Sequence, residues 1–331
     1  MNKADREKKA EALIDIIRRR PDHVYNWDRL ADRLLVDRES LQEVIEQAAA
    51  WEYKLRVRNH SGVSFVAPPD LLNDIEIRFG LSTRWIGRTV FSYRSVKSTN
   101  DIAVQRVGEA APEGSVVTSE EQTKGRGRLG RVWHSPPGSG AYLSIILRPP
   151  IRPEDAPGLS VMTAVALADT ISELKVGLVQ IKWPNDVWIN GRKTAGILTE
   201  LSAERNEIHH VVIGVGINVN NQTRDFPPEL QKIATSVRRE LRRKVDRIEL
   251  VRRFLENFEA EYQKYLRYRL KKSHAKIRRY SALIGHEITL SFGNRAMTGR
   301  VKDINRDGAL VLETESGLET ITAGEVTVVK E

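Results

Sequence analysis

The sequence predicts an α+β protein in three parts: a helical start closed by a β-hairpin, a central mixed β-sheet with helices packed on it, and a small β-barrel at the end. Three observations carry that expectation. Apolar residues recur at helical spacing as far as Trp51, and then at alternate positions in two short runs. From about 70 to 280, strand-like and helix-like stretches follow one another. Beyond 282, Gly285, Gly293, Gly299, Gly308, Gly317 and Gly324 split apolar alternation into short strands and turns.

In the first part, assigned to 1–67, residues 6–19 place Ala10, Leu13, Ile14 and Ile17 on one helical face, and Pro21 ends the helix. A second short helix fits Trp27 to Leu34. A third fits Arg38 to about Trp51, with Asp37 as its N-cap. KLRVR, a turn at Asn59–Gly62 and VSFVA form a hairpin. Three helices and a hairpin are the winged helix-turn-helix plan. Pro68 and Pro69 mark a boundary. The second part, 70–280, runs RTVFSY, a helix after Asn100, SVVTSE, a glycine–arginine loop, AYLSIIL and a helix through Val161–Leu174. VQIKW, a hairpin and HHVVIGVGINV follow, then an amphipathic helix with Leu250, Phe254, Phe258, Tyr262 and Leu266. The barrel takes 282–331.

Composition narrows the class. The chain has 331 residues, 40% of them apolar and 29% charged, which suits a soluble protein with a sizeable core. No cysteine is present, so disulfides, thiol chemistry and cysteine-bound zinc are excluded. No run approaches the roughly 18–20 apolar residues of a membrane span, and the charged N-terminus lacks the apolar core of a secretory signal. A cytoplasmic protein with no membrane partner is expected. The net charge of +9 invites a nucleic-acid reading. Yet the first 70 residues are nearly balanced, and the excess sits largely in 231–280, in Arg238, Arg239, Arg242, Arg243, Lys244 and Arg247. That run reads as a solvated basic helix face or as a docking surface for an acidic partner.

Five local features bear on chemistry. Gly125-Arg126-Gly127-Arg128-Leu129-Gly130-Arg131, with Trp133 after it, reads as a mobile loop whose backbone N–H groups and guanidinium forks suit phosphates. No Gly-Lys-Ser/Thr follows, so it is not the phosphate loop of NTPases; an RNA-binding segment is the other reading. Second, Asn190–Gly191 between alternating stretches marks a hairpin. A two-residue loop there pairs Ile189 with Arg192, Trp188 with Lys193 and Asp186 with Ala195. Asp186, Trp188, Lys193 and Ala195 then share one face, with Asp186 and Lys193 as diagonal neighbours. Lys193 is free to meet a ligand, or the two are an exposed charge pair. Third, Ser98-Thr99-Asn100 reads as a helix cap. Fourth, Gln122 ends a strand, where open α/β sheets place ligands. Fifth, Gly214, Gly216 and Asn218 in IGVGINV signal close approach of a ligand or backbone, or a bulge.

Taken in order, KSTN, EQTKGRGRLGRVWHSP, KWPNDVWINGRKTAGILTE and GVGINV resemble the core of the biotin–protein ligases. The winged-helix start and terminal barrel resemble the subgroup that is both biotin ligase and biotin operon repressor. That resemblance implies a class II synthetase-like core, an SH3-like barrel and a two-step reaction. Biotin and Mg-ATP give biotinyl-5′-AMP, and a lysine of the biotin carboxyl carrier domain of a biotin-dependent carboxylase then takes the biotinyl group. It implies that Ser98, Thr99, Asn100 and Gln122 line the biotin pocket, and that Arg126, Gly127 and Arg128 order over biotin and adenylate. Lys193 contacts the biotin carboxylate and α-phosphate, and Lys193, Arg128 and Asp186 form the catalytic set. Gly125, Arg131, Trp133, Asn185 and Asn218 are assigned to the nucleotide. Mg²⁺ accompanies the triphosphate with no assigned ligands, and a homodimer is among the family's states.

The third helix departs from the family's more basic or neutral pattern. DRESLQEVIEQ sets Asp37, Glu39, Glu43 and Glu46 against Arg38, and carboxylates are repelled by phosphates. Operator contacts would then fall to Arg38, Ser40 and Gln42 and to Arg56 and Arg58 beside Lys54 of the wing; a structural or regulatory remnant is the other reading. Three competing functions remain at this level: a lipoate or octanoate protein ligase, a winged-helix regulator that senses ligand without turnover, and an RNA-binding protein.

Overall fold

The computed structural model describes all residues except 22, 59–60, 293–294, 323 and 329–331, so Asn59 of the hairpin turn and Gly293 of the barrel lie outside the described residues. The chain divides into two compact units, Met1–Leu71 and Leu72–Glu331.

In the first unit, α1 (Lys3–Arg18), α2 (Trp27–Leu34) and α3 (Arg38–Ala50) precede the hairpin of β1 (Lys54–Arg58) and β2 (Gly62–Ala67). Ala10, Leu13, Ile14 and Ile17 are completely buried, as are Leu30 of α2 and Leu41, Val44 and Ala48 of α3. One apolar stripe per helix thus closes a single small core. Each helix starts on a side chain that accepts a first-turn N–H: Asn2 from Asp5, Asn26 from Asp28, and Asp37 from Ser40 at 2.7 Å. An antiparallel bridge between Tyr25 and Val63 ties the hairpin to the segment before α2.

The second unit opens with α4 (Asp74–Arg78), which the sequence pattern does not announce, and β3 (Val90–Val96). Then come α5 (Thr99–Gly108), β4 (Val116–Gln122), β5 (Ala141–Leu147), α6 (Pro157–Glu173), β6 (Val179–Lys182), β7 (Asp186–Ile189), β8 (Arg192–Glu204) and β9 (Glu207–Ile217). The seven strands form one sheet in the order β3-β4-β5-β9-β8-β7-β6, with β3 and β4 parallel and every other neighbouring pair antiparallel. β5 is buried throughout because both sheet faces are covered. Val116, Ile145 and Ile213 join the main core, whereas Val117, Ile146 and Val212 pack with Ala103 of α5 on the other face.

After β9 come α7 (Val237–Leu241), α8 (Arg247–Tyr268) and α9 (His274–Tyr280). α8 carries the expected stripe: Leu250, Phe254, Phe258 and Tyr262 are buried. Arg247 corrects the expectation of a solvated basic face. It is fully buried, donating to Glu120 at 2.9 Å and to the Gly140 carbonyl at 3.0 Å. The terminal part is β10 (Glu287–Phe292), β11 (Arg295–Ile304), β12 (Leu310–Thr314), β13 (Gly317–Ile321) and β14 (Glu325–Val328). These make an antiparallel sheet in the order β13-β12-β11-β10-β14, whose edge strands are not paired with each other among the described residues. Its buried Ile288, Leu290, Val301, Leu310 and Leu312 merge with the main core. No helix among the described residues is long and apolar enough to cross a membrane.

Candidate active site

The strand ends and loops of the seven-stranded sheet gather the expected residues. α5 begins beside the end of β4. Thr99 donates from its backbone N–H and its hydroxyl to Gln122 Oε1, at 2.9 and 3.1 Å, and Gln122 Nε2 donates to Ser135 Oγ at 3.0 Å. Ser98 holds the N-cap position, but its side chain makes no capping bond; the Gln122 amide takes the Thr99 N–H instead. The reading of this triplet as a self-contained cap is therefore corrected. Ser98, Thr99 and Asn100 are each only 3% exposed. Ser144 Oγ lies 2.8 Å from Thr99 Oγ1 and 2.6 Å from Asn100 Oδ1.

The glycine–arginine stretch, expected as a loop, takes the form of a hairpin. Arg126 bridges Val132, Gly127 N–H donates to the Arg131 carbonyl at 2.7 Å, and Trp133 N–H donates to Gly125 at 2.9 Å. Leu129 at the tip has φ of 55°, a left-handed conformation that sharpens the turn. Arg126 is held 2.6 Å from Asp101 and 3.2 Å from Glu200. Arg128 donates to Asn185 Oδ1 at 3.0 Å and to the Gly324 carbonyl at 3.3 Å. Arg131 is exposed.

The second hairpin brings Lys193 Nζ to 2.8 Å from Asp186 Oδ1, so the diagonal pair forms. Its register is corrected at one point. Ile189 faces Arg192 and Trp188 faces Lys193 as expected, but Asp186 faces Gly196, and Ala195 faces Val187. A bulge at this point causes the slip. The segment 233–235 captures Lys193, whose N–H donates to Ile233 and whose carbonyl accepts from Thr235, both at 2.9 Å. Ala195 is thereby turned into the core beside Val187 and Ile189, and Gly196 takes its place on the site face.

The strand glycines of β9 answer to side chains, not to a bulge. A Cβ at Gly214 would lie 2.2 Å from Asn100 Oδ1, and one at Gly216 would lie 2.3 Å from Trp133 Nε1. The ladder is regular here, pairing Gly214 with Ser144 and Leu198, and Gly216 with Tyr142 and Gly196. Trp133 thus lies on a glycine floor, with Lys193 Nζ 5.3 Å from its ring centre. Its indole N–H is buried and has no acceptor among the described residues. Of the two asparagines, Asn185 Nδ2 donates to Ile197 at 2.9 Å, and buried Asn218 donates to Thr235 at 3.1 Å. Behind the hairpin, burial raises the Tyr142 phenol well above its usual range, and that phenol donates to the Pro136 carbonyl at 3.0 Å.

Two site groups escaped the sequence reading. Glu200 takes Asn100 Nδ2 at 2.7 Å and pairs with Arg126. Its signal was the period-two run Gly196, Leu198, Glu200. Ser144 was visible as one hydroxyl inside the otherwise apolar AYLSIIL.

Residues 92–218 match the biotin/lipoate A/B protein ligase family, and residues 283–329 match the biotin protein ligase C-terminal domain. Over 314 residues the chain is 35% identical to the bifunctional ligase/repressor BirA of Bacillus subtilis (strain 168), spanning 95% of this chain and 97% of that relative. The chain belongs to the biotin–protein ligase family. Within it, the biotin–[acetyl-CoA-carboxylase] ligase of Mycobacterium tuberculosis is 32% identical over 242 residues, 69% of this chain and 85% of the relative. A solved biotin protein ligase from Aquifex aeolicus, in complex with biotin and ATP, matches with a TM-score of 0.64 at 28% identity over 74% of this chain and 100% of that one. Both hairpins of this ligase-family site fall inside the matched stretch 92–218, and the Bacillus alignment is long enough to reach into the helical first unit.

In that first unit the operator candidates are partly engaged. The Arg38 guanidinium lies 5.7 Å from the Trp27 ring centre, Gln42 donates to Glu46 at 3.0 Å, and Ser40 N–H is taken by Asp37. Glu43 lies 3.6 Å from Arg6 of α1, so part of the acidic load on α3 is internally paired. Arg56 and Arg58 are exposed on β1.

Proposed function

We propose that this chain joins biotin to the α-phosphate of ATP and then passes the biotinyl group to a lysine of a biotin carboxyl carrier domain. One observation carries the reading: Lys193, the unpartnered Trp133 indole and the glycine–arginine hairpin converge over the Gly196–Gly216 floor. A carboxylate is a poor electrophile. Attack by its oxygen on the α-phosphorus expels pyrophosphate and leaves a mixed anhydride, which an amine can open with loss of AMP. Lys193 offsets the two negative groups as they meet. Arg126, Gly127 and Arg128 cover the anhydride and exclude water.

Ser98, Thr99, Asn100 and Gln122 are assigned to the ureido end of biotin, as a set of buried or half-buried donors and acceptors in which Thr99 bonds Gln122 and Ser144 links Thr99 to Asn100. Gly125, Arg131, Trp133, Asn185 and Asn218 are assigned to the nucleotide, with Trp133 free to donate its indole hydrogen. When Lys193 turns to the ligand, Asp186 loses its partner and becomes an acceptor for the proton of the incoming lysine. Mg²⁺ enters as part of the nucleotide substrate, since this ion is usually held by substrate phosphates with one or two carboxylates; no group of three or more metal-ligating side chains occurs among the described residues. The first unit is assigned to operator DNA through the exposed Arg56 and Arg58 more than through α3.

Biotin-dependent exchange of labelled pyrophosphate into ATP tests the first half-reaction, with lipoate and octanoate as controls. Exchange with biotin alone is expected. Biotin binding without exchange would replace the ligase reading with that of a ligand-sensing regulator.

A further inference from the structure

A pocket outside the site described above is lined by Gln222, Thr223, Arg224, Arg238, Arg239 and Arg242. Its volume is about 440 Å³, within the roughly 300–1,000 Å³ of small-molecule sites. No carboxylate lines it, and its arginines are poorly compensated. Arg224 Nε is 3.9 Å from Asp225 Oδ1, beyond hydrogen-bond reach, and the other Asp225 oxygen accepts the Gln222 N–H at 2.7 Å. Glu240, the acid on α7, is spent on Arg192, Asn190 and Thr235. Arg239 donates to the Ala234 carbonyl at 3.0 Å, lies 5.9 Å from the Phe226 ring centre and feels the charge of nearby Glu240. Burial, with the charge of Arg192 behind it, lowers its pKa from the ordinary guanidinium value. Arg238 and Arg242 make no side-chain ion pair among the described residues.

Arg242 is the C-cap of α7. Its φ is 58°, a left-handed conformation in which glycine is at ease and arginine is not. Leu35 ends α2 in the same way, so this conformation serves the end of the helix.

We propose that this pocket binds a condensed phosphate, a di- or triphosphate group, through Arg224, Arg238, Arg239 and Arg242. Planar guanidinium forks match phosphate oxygens two at a time. Four such forks exceed what one orthophosphate can satisfy and suit a chain of phosphates. Free pyrophosphate and the tail of a nucleotide present the same chemistry. Lys193 is not part of the lining, so the proposal does not depend on the ligase reading.

The test is calorimetric titration of inorganic tripolyphosphate into the full chain at physiological salt, for wild type, Lys193→Ala, Arg238→Gln and Arg242→Gly. Binding is expected to survive in Lys193→Ala and to weaken at least about tenfold in each arginine variant. Arg242→Gly suits its φ better than arginine does, so an unchanged or raised melting temperature separates lost binding from lost folding. Pyrophosphate and ATP, compared in the Lys193→Ala background, identify the source of the phosphates, the tighter ligand being the natural one. Affinity unchanged in both arginine variants, affinity lost only with Lys193, or no binding at all overturns the proposal.

Discussion

Gly214→Ala puts the closest contact in the site under direct strain. The new methyl carbon would sit 2.2 Å from Asn100 Oδ1 and 2.9 Å from its Cγ. Asn100 cannot move cheaply, because its Oδ1 is 2.6 Å from Ser144 Oγ and its Nδ2 donates to Glu200 at 2.7 Å. Displacing the amide breaks both hydrogen bonds, at about 0.5–1.5 kcal/mol for a neutral one and more where a carboxylate accepts. Overpacking contributes about 1–3 kcal/mol. A total loss of about 3–7 kcal/mol follows from these terms, read as a fall in the urea midpoint at constant slope. The contact argument has a sharper form. In an Asn100→Ala background the obstructing atoms are gone, and Gly214→Ala is expected to cost less than about 1 kcal/mol, so the two changes couple strongly. An equal cost in both backgrounds would refute the claim that Asn100 is what requires glycine at 214.

Lys193→Ala is expected to lower biotin-dependent pyrophosphate exchange by about 10²-fold or more, and exchange at the wild-type rate removes Lys193 from its assigned role. Arg128→Gly frees Asn185 and opens the hairpin, so biotinyl-5′-AMP is expected to escape into solution faster in a rapid-filtration assay while exchange persists. Arg247→Met strands the buried Glu120 carboxylate, with an expected loss of about 3–5 kcal/mol; adding Glu120→Gln restores most of it, and a single-variant loss below about 1 kcal/mol contradicts the pairing. His210 has its pKa lowered by burial, with help from Arg148 and His209, from an ordinary value of 6.5. The unfolded chain then binds this proton first, so the stability tied to neutral His210 is complete above that ordinary value and is lost as pH falls below it. The urea midpoint is expected to drop less between pH 7.5 and 5.5 in His210→Gln than in wild type, and equal drops count against the assignment.

Local sequence was enough wherever one chain segment decides the outcome. The stripe Ala10, Leu13, Ile14 and Ile17 defines the face of α1, because helical periodicity needs no partner to be read. Asp37 caps α3 through a hydrogen bond to a residue three positions on. Asn190–Gly191 sets a hairpin turn, and with it the approach of Lys193 to Asp186. The order of the seven strands was not legible, since ladder partners as distant as β5 and β9 are selected by the packing of helices on both sheet faces.

By itself, then, the sequence determined most of the elements, the Asp37 cap, the Asn190–Gly191 turn and a candidate set of site residues. Tertiary structure decided what each residue faces. Arg247 reads as one more cation in a basic run, and only the fold brings Glu120 to it across more than a hundred residues. Ala195 and Gly196 exchange faces at a bulge, beside which the distant segment 233–235 hydrogen-bonds to Lys193. The glycines of β9 acquire their reason only when Asn100 and Trp133 arrive from elsewhere in the chain. Periodicity and turn chemistry act over a few bonds, whereas burial, close approach and charge pairing are properties of neighbours in space, and those exist only once the chain has closed.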